Sequence, residues 1–139
     1  MEEENRQKKV IAIIGTRKRD TSAAFKLVRE AFDKIYEEGD WICSGGCSKG
    51  ADRYAEQLAK AEGIPILIFW PNNKKYHFKV APLIRNGDIA KEATHIVACV
   101  MNPEDGIDKV LQRTTGGTED TLKKYAIKLK KSKEKVYLV

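Results

Sequence analysis

The sequence has few cysteines, the residues that most often form disulfides or metal sites in a small protein. It contains three cysteines, Cys43, Cys47 and Cys99, among 139 residues. An odd number of cysteines does not make a disulfide framework, and Cys43 and Cys47 have no second Cys/His pair to complete a zinc site. Cys43 and Cys99 lie inside apolar runs, so we expect both side chains to be buried. No metal and no cofactor are predicted.

Long hydrophobic runs are also missing. No apolar stretch approaches the roughly 20 residues that a membrane-spanning helix needs. The charged N-terminus, from Met1 to Arg6, is not followed by a signal-type cleavage region. We therefore expect a cytoplasmic protein without a membrane partner. The length of 139 residues predicts a single domain over 1–139, which is large enough to bury a core.

Acidic residues are scarce at the C-terminal end of the chain. The formal net charge is +6, and residues 121–139 account for all of it, with seven lysines against Glu134 alone. A lysine-rich helix there could contact nucleic acid through Lys124, Lys128 and Lys131. The alternative is a solvated helix face. We rank nucleic-acid binding as the weaker interpretation, because few exposed aromatic residues are predicted for base stacking.

What the sequence does contain is a regular alternation of strand-like and helix-like segments. Strands are predicted at 10–14, 41–44, 65–70, 94–100 and 136–139, and helices at 22–38, 51–62, 80–92 and 119–131. The strands are short and continuously apolar, which is typical of strands covered on both faces. The alternation predicts an α/β fold, a Rossmann-like doubly wound sheet of about five parallel strands with helices on both faces. The polar connection at 101–115 is predicted to be an active loop or lid.

Three glycine-rich or small polar segments fall on the predicted ligand edge of this sheet, beyond the carboxyl ends of the strands. They are Gly15-Thr16-Arg17, Ser44-Gly45-Gly46-Cys47-Ser48-Lys49-Gly50 and Gly116-Gly117-Thr118. Glycine lets a backbone approach a ligand closely and helix N-termini offer free N–H groups, so the segments suit a phosphate. Simple turns would explain one such loop, but three on one edge favour a binding site. No Walker sequence and no Gly-x-Gly-x-x-Gly after the first strand occurs, which disfavours ordinary dinucleotide dehydrogenase binding.

Two further positions add charged groups to the same edge. Arg85, followed by Asn86 in a predicted helix, could hold a phosphate through two parallel hydrogen bonds, with a plain surface arginine as an equal alternative. Asp52 opens the second predicted helix, where it either favours the helix dipole or accepts a hydrogen bond from a ribose or a base. Of the two histidines, His95 is expected to be structural, and His77 is a weak candidate for ligand contact.

Together these segments resemble the SLOG superfamily, which joins DNA-uptake proteins of the DprA/Smf type to the LOG enzymes of plants. The resemblance is greatest to its small YspA/YpsA-related branch, and it rests on Ile14-Gly15-Thr16-Arg17, Ser44-Gly45-Gly46-x-x-x-Gly50-Ala51-Asp52-Arg53-x-Ala55, Ile84-Arg85-Asn86 and Gly116-Gly117-Thr118. It implies a Rossmann-like fold, a nucleotide or nucleotide-derived ligand, and a homodimer or larger assembly.

The resemblance also implies a chemistry that this sequence only partly matches. LOG-type enzymes cleave the N-glycosidic bond of a nucleoside monophosphate with an arginine and a glutamate. Arg85 matches that arginine, but Thr121 stands where the glutamate of the Pro-Gly-Gly-x-Gly-Thr-x-x-Glu motif would be, and a threonine cannot supply its charge. Glu119 and Asp120 lie nearby, out of register.

Three hypotheses follow from these residues. The first is a ligand-binding or sensing module without strong catalysis, which the missing glutamate favours. The second is a nucleotide N-glycosidase in which Arg85 works with Glu119, Asp120 or Asp52 as the carboxylate. The third is a DprA-like protein that binds single-stranded DNA.

Overall fold

The centre of the molecule is one sheet of five parallel strands. The computed structural model describes residues 8–139. Its strands are β1 (Val10–Gly15), β2 (Trp41–Ser44), β3 (Ile66–Ile68), β4 (His95–Cys99) and β5 (Val136–Leu138). They lie in the order β3-β2-β1-β4-β5, and every neighbouring pair is parallel. The predicted α/β class and the Rossmann-like doubly wound sheet are confirmed.

Helices cover both faces of this sheet. They are α1 (Ser22–Ile35), α2 (Ala51–Glu62), α3 (Ala81–Glu92), the single turn α4 (Ile107–Val110), and α5 (Gly117–Lys123), which continues as a π-helical turn over Lys124–Lys128. Helices α1 and α2 pack on one face, and α3 and α5 pack on the other. None of the helices between residues 8 and 139 has the length and apolarity required to cross a bilayer.

The continuous apolar character of β1 follows from this two-sided packing. Successive side chains of a strand point to opposite faces. Ile11 and Ile13 therefore pack with α1 and α2, whereas Ala12 and Ile14 pack with α3 and α5. All four side chains are buried. Cys43 and Cys99, on β2 and β4, are buried free thiols, as predicted.

Several element boundaries differ from the prediction, most of them by one to three residues. The helix predicted at 22–38 ends at Ile35, because Tyr36 adopts an extended conformation. The strand predicted at 65–70 pairs with β2 over Ile66–Ile68. Two further hydrogen bonds flank this pairing, from the Ile42 N–H to the Pro65 carbonyl (3.0 Å) and from the Phe69 N–H to the Ser44 carbonyl (2.8 Å). The last helix begins at Gly117 instead of 119, since this glycine takes a helical conformation.

The 101–115 connection has more structure than its polar sequence predicts. It contains a 3₁₀ turn at Pro103–Asp105 and the helical turn α4, whose Val110 is completely buried in the core beneath α3 and α5. The Arg113 guanidinium then contacts Asp105 (3.0 Å) and the main-chain oxygen of Asn102 (3.3 Å). The connection is thus anchored at Val110, and its role as an active loop or lid stays a prediction.

Candidate functional site

The strand order creates a crevice at the carboxyl ends of β1 and β4. The connection after β1 crosses to one side of the sheet and the connection after β4 to the other, which leaves the strand ends open between them. A cleft of about 390 Å³ lies there. This volume is in the range of small-molecule binding sites, about 300–1,000 Å³.

The cleft gathers most of the residues that the sequence predicts as a site. The predicted residues that line it are Gly15, Thr16, Arg17, Gly45, Asp52, Arg85, Asn86, Gly116, Gly117, Thr118 and Glu119. They come from the ends of β1 and β2, from the start of α2, from the middle of α3 and from the start of α5. Segments that are up to about a hundred positions apart in the chain therefore converge on one rim of the sheet, as predicted.

Five predicted site residues are not part of this lining, for identifiable reasons. Ser44 is buried and its hydroxyl accepts a hydrogen bond from the Gly46 N–H (3.4 Å). Gly46 itself packs against the indole of Trp70. Gly50 is buried, and its N–H donates to the Asp20 carboxylate (2.9 Å). Lys49 is exposed outside the cleft.

The fifth residue, Asp120, was a candidate catalytic carboxylate. Its Oδ2 atom accepts hydrogen bonds from Lys124 Nζ (2.6 Å) and from Asn86 Nδ2 (3.0 Å). These contacts tie the carboxylate to α3 and to the π-helical turn that follows α5. Asp120 is thus not among the residues that line the cleft, and its role as a catalytic carboxylate stays a prediction.

Arg85 is held in place by a chain of hydrogen bonds. Its Nη1 atom donates to the Gly45 carbonyl, and its Nε atom donates to Asn86 Oδ1 (3.0 Å). Asn86 Nδ2 continues the chain to the Gly117 carbonyl (3.3 Å) and to Asp120. Among residues 8–139, no hydrogen bond engages Arg85 Nη2. The guanidinium is thus oriented in advance and keeps N–H groups for an anion.

Asp52 and Arg85 approach each other beside Gly45. A Cβ atom at Gly45 would lie 2.7 Å from Arg85 Nη1 and 3.0 Å from Asp52 Oδ2. Only 7% of the Asp52 surface is exposed, and its Oδ2 atom accepts a hydrogen bond from the Cys47 N–H (3.3 Å). Burial raises the pKa of Asp52 to about 6, against the opposing effects of the Cys47 N–H and of the charges of Arg85 and Arg17. The cleft therefore contains a carboxyl group that ionises near neutral pH.

Glu119 also lines the cleft, but its charge is already compensated. Its carboxylate folds back over Gly116 at the start of α5 and pairs with Arg113 Nη1 (3.1 Å). Arg113 is shared with Asp105. Of the three candidate carboxylates, Asp52 is the one that lines the cleft without an ion pair to any residue in the part of the chain described.

The position that resembles the LOG glutamate does face the cleft. Thr121 lines it and is almost completely buried, and its hydroxyl donates to the Gly117 carbonyl (3.1 Å). The hydroxyl thus donates its hydrogen bond within the first turn of α5, and it supplies no charge to the cleft. A glycosidic reaction in this cleft would have to take its carboxylate from another position.

Five residues of the lining were not predicted to contact the ligand, although Ile14, Cys47 and Thr121 lie within the sequence motifs and the other two had a usable signal. Those residues are Ile14, Lys18, Cys47, Ile89 and Thr121. Lys18 directly follows Gly15-Thr16-Arg17, and Ile89 lies one helical turn after Arg85. His77 lies outside the lining, where its Nδ1 atom accepts a hydrogen bond from the Lys79 N–H (3.2 Å).

No protein-family model matches the chain, and no curated protein or solved structure matches it either. The resemblance to the SLOG superfamily, and the homodimer or larger assembly that it implies, stay predictions.

Proposed function

We propose that the chain binds a nucleotide or nucleotide-derived ligand at the carboxyl ends of β1 and β4, as a sensing or ligand-processing module. The observation that carries the proposal is the convergence of Arg85 with three glycine-containing segments in one cleft of about 390 Å³. Backbone N–H groups near Gly15 and Gly116 and the guanidinium of Arg85 are donors that suit a phosphate.

The charges of the cleft favour an anion over a neutral ligand. Arg17, Lys18 and Arg85 line it on the cationic side. Glu119 is compensated by Arg113, so among residues 8–139 Asp52 is the one uncompensated carboxylate of the lining against these three cations. Focusing of positive potential in a cleft raises the local concentration of anionic ligands.

The second candidate function is N-glycosidic hydrolysis of a nucleoside monophosphate, and the geometry of Asp52 favours it. In this reaction water attacks the anomeric carbon, the C–N bond breaks, and the bond electrons leave with the base, which takes up a proton. An ionised carboxylate beside the sugar stabilises the oxocarbenium-like transition state. Asp52 can supply that carboxylate above pH 6, while Arg85 holds the phosphate.

The binding proposal is tested by calorimetric titration with AMP, GMP, CMP, UMP and adenosine. At least one nucleotide should bind, and adenosine should bind more weakly than AMP because it lacks the phosphate. Arg85→Ala should weaken nucleotide binding about 10- to 100-fold, since charged hydrogen bonds are lost. Arg29→Ala is the matched control, because Arg29 pairs with Asp33 and Glu62 on α1 and α2, away from the cleft.

Chromatography of the same mixtures separates binding from hydrolysis. A sensing module leaves every nucleotide intact, whereas an N-glycosidase releases free base and should lose that activity in Asp52→Asn. Base release that persists in Arg85→Ala would exclude the hydrolytic mechanism. If none of the four nucleotides gives heat or a thermal shift, the proposed function fails.

A further inference from the structure

A second cavity lies beside the cleft, at the carboxyl end of β3. It has a volume of about 600 Å³ and is lined by Ile68, Phe69, Trp70, Pro71, Asn72, Asn73 and Lys74. Trp70 is 61% exposed there. An indole buries a large apolar surface when it is covered, so one left open in a cavity is an available contact surface for a flat apolar group.

One side of the exposed indole nevertheless packs against the backbone of Gly46. Gly46 has a φ of +72°, and a Cβ atom at this position would lie 2.6 Å from both Cε3 and Cζ3 of Trp70. The ring therefore rests on a residue that must be glycine for two reasons, its backbone conformation and the close approach. Trp70 is thereby held in a defined place next to the Gly45-Gly46 turn.

The same turn separates Trp70 from Arg85. A Cβ atom at Gly45 would lie 2.7 Å from Arg85 Nη1, and one at Gly46 would lie 2.6 Å from the indole. Adjacent Cα atoms are about 3.8 Å apart, so the guanidinium and the indole lie within roughly 12 Å of each other. The strand order agrees, because β2 alone lies between β1 and β3 and neighbouring strands are about 4.8 Å apart.

We infer that Trp70 is the platform on which the aromatic base of the ligand stacks while its phosphate lies against Arg85. The inference rests on the proposed function, because it requires the phosphate in the cleft. The ligand class that spans both places is a nucleoside 5′-monophosphate or a larger derivative of one, which carries an anion and a flat heteroaromatic ring on one sugar. Asn73 and Lys74, exposed on the rim of the same cavity, offer polar groups to the edge of the base.

The two tryptophans of the chain make the inference measurable by fluorescence. Trp41 begins β2 and therefore lies at the amino edge of the sheet, opposite the cleft. In Trp41→Phe, Trp70 is the remaining tryptophan. Titration of this variant with AMP should quench the fluorescence to saturation, since a stacked base quenches an indole, whereas ribose 5-phosphate should bind without quenching.

Calorimetry then measures what the indole contributes. Trp70→Ala should weaken AMP binding about 5- to 100-fold, in line with the stacking of a base on an aromatic side chain. The affinity for ribose 5-phosphate should stay within about twofold, because the sugar phosphate has no base to stack. Trp70→Phe should keep most of the AMP affinity and Trp70→Leu should lose it, which separates stacking from mere filling of space on Gly46.

The outcomes distinguish this inference from the function on which it rests. Equal affinities of AMP and ribose 5-phosphate that do not change in Trp70→Leu would contradict stacking and leave the phosphate site intact. Binding of neither compound, together with no binding of GMP, CMP or UMP, would refute the proposed function itself. A circular dichroism spectrum and a thermal melt of each variant show that the comparison is made between folded proteins.

Discussion

Two regions of this molecule are rich in positive charge, the C-terminal segment 121–139 and the part of the cleft formed by Arg17 and Lys18. They differ in how the structure engages their side chains. In the lysine-rich segment 121–139, Lys131 Nζ donates to the carbonyls of Ala90, Lys91 and Ala93 at 2.9, 2.7 and 2.9 Å. At the cleft, by contrast, the side chains of Arg17 and Lys18 are exposed, and no ion pair engages them among residues 8–139. Lys123, Lys124 and Lys131 of that segment are thus occupied by contacts within the fold, whereas Arg17 and Lys18 are open to a ligand.

The difference shows why net charge alone is a poor guide to a binding surface. Lys131 caps the C-terminus of α3, where unpaired carbonyls and the negative end of the helix dipole favour a cation. Lys124 likewise bonds to Asp120 and to the Leu83 carbonyl (2.9 Å). Two of the three lysines that would bind nucleic acid in the third hypothesis thus already contact α3 or α5. Replacing them would disturb the fold together with any binding.

Among the substitutions that test this difference between the two regions, we expect the largest effect on stability at Lys131. Lys131→Met should lower the free energy of unfolding by about 2 kcal/mol, because charged hydrogen bonds to several helix-end carbonyls are lost. Urea denaturation measures the change. Lys128→Met is the matched control, since Lys128 is exposed on the same segment and should change stability by less than about 0.5 kcal/mol. Equal stability of the two variants would show that Lys131 does not cap α3.

The next effect concerns Asp52 and depends on pH. Its pKa is raised from 3.8 to about 6 in the folded chain, so the folded state keeps a proton that the unfolded state loses as the pH rises between these values. Stability therefore falls over this window and stays reduced above pH 6. Asp52→Asn carries no such charge and should be more stable than the parent by about 1–2 kcal/mol at pH 8, with little gain below pH 4.

Urea denaturation at both pH values checks this prediction. Asp88→Asn is the control, because Asp88 is exposed on α3 and its replacement should change stability by less than about 0.5 kcal/mol at either pH. A gain in Asp52→Asn that is the same at pH 4 and pH 8 would show that the benefit does not arise from removing a buried charge.

The sequence predicts the strands and helices of this protein well because these elements depend on local patterns of residues. The continuous apolar run at Val10–Gly15 indicates a covered strand, and Gly63 ends α2 in the left-handed conformation, with φ of +66°, that glycine favours. The glycine-containing segments reach one edge because all parallel strands end there. The shared edge is thus enough to bring Gly15 and Gly45 together, whereas Arg85 reaches them from the middle of α3.

The partners of charged side chains could not be predicted in the same way. Lys131 contacts carbonyls 38 to 41 positions earlier in the chain, and Gly50 bonds to Asp20 across 30 positions. Such contacts depend on how helices pack, which no local pattern encodes. Asp120 follows a residue of the cleft lining in sequence, but its carboxylate bonds to Lys124. Trp70 was predicted only as the last residue of a strand, and its exposed position beside Gly46 could not be predicted.

The smallest predicted effect is at Glu119, whose ion pair with Arg113 lies beside the open cations of the cleft. Glu119 lines the cleft and pairs there with Arg113, and its carboxylate places a negative charge close to a ligand anion. Glu119→Gln removes this charge while keeping the size of the side chain. It should therefore strengthen AMP binding about three- to tenfold in calorimetric titrations, with a larger gain at low ionic strength because added salt screens the repulsion.

Adenosine provides the control for this prediction, since it lacks the phosphate that Glu119 repels and should bind the variant and the parent equally. The opposite result has a defined meaning. If Glu119→Gln binds AMP no more tightly and also abolishes release of free base, then Glu119 is the carboxylate that acts on the ligand, and Asp52 is not. Arg113 would then position Glu119 for that reaction, so Arg113→Gln should reduce the rate of base release while leaving AMP affinity nearly unchanged.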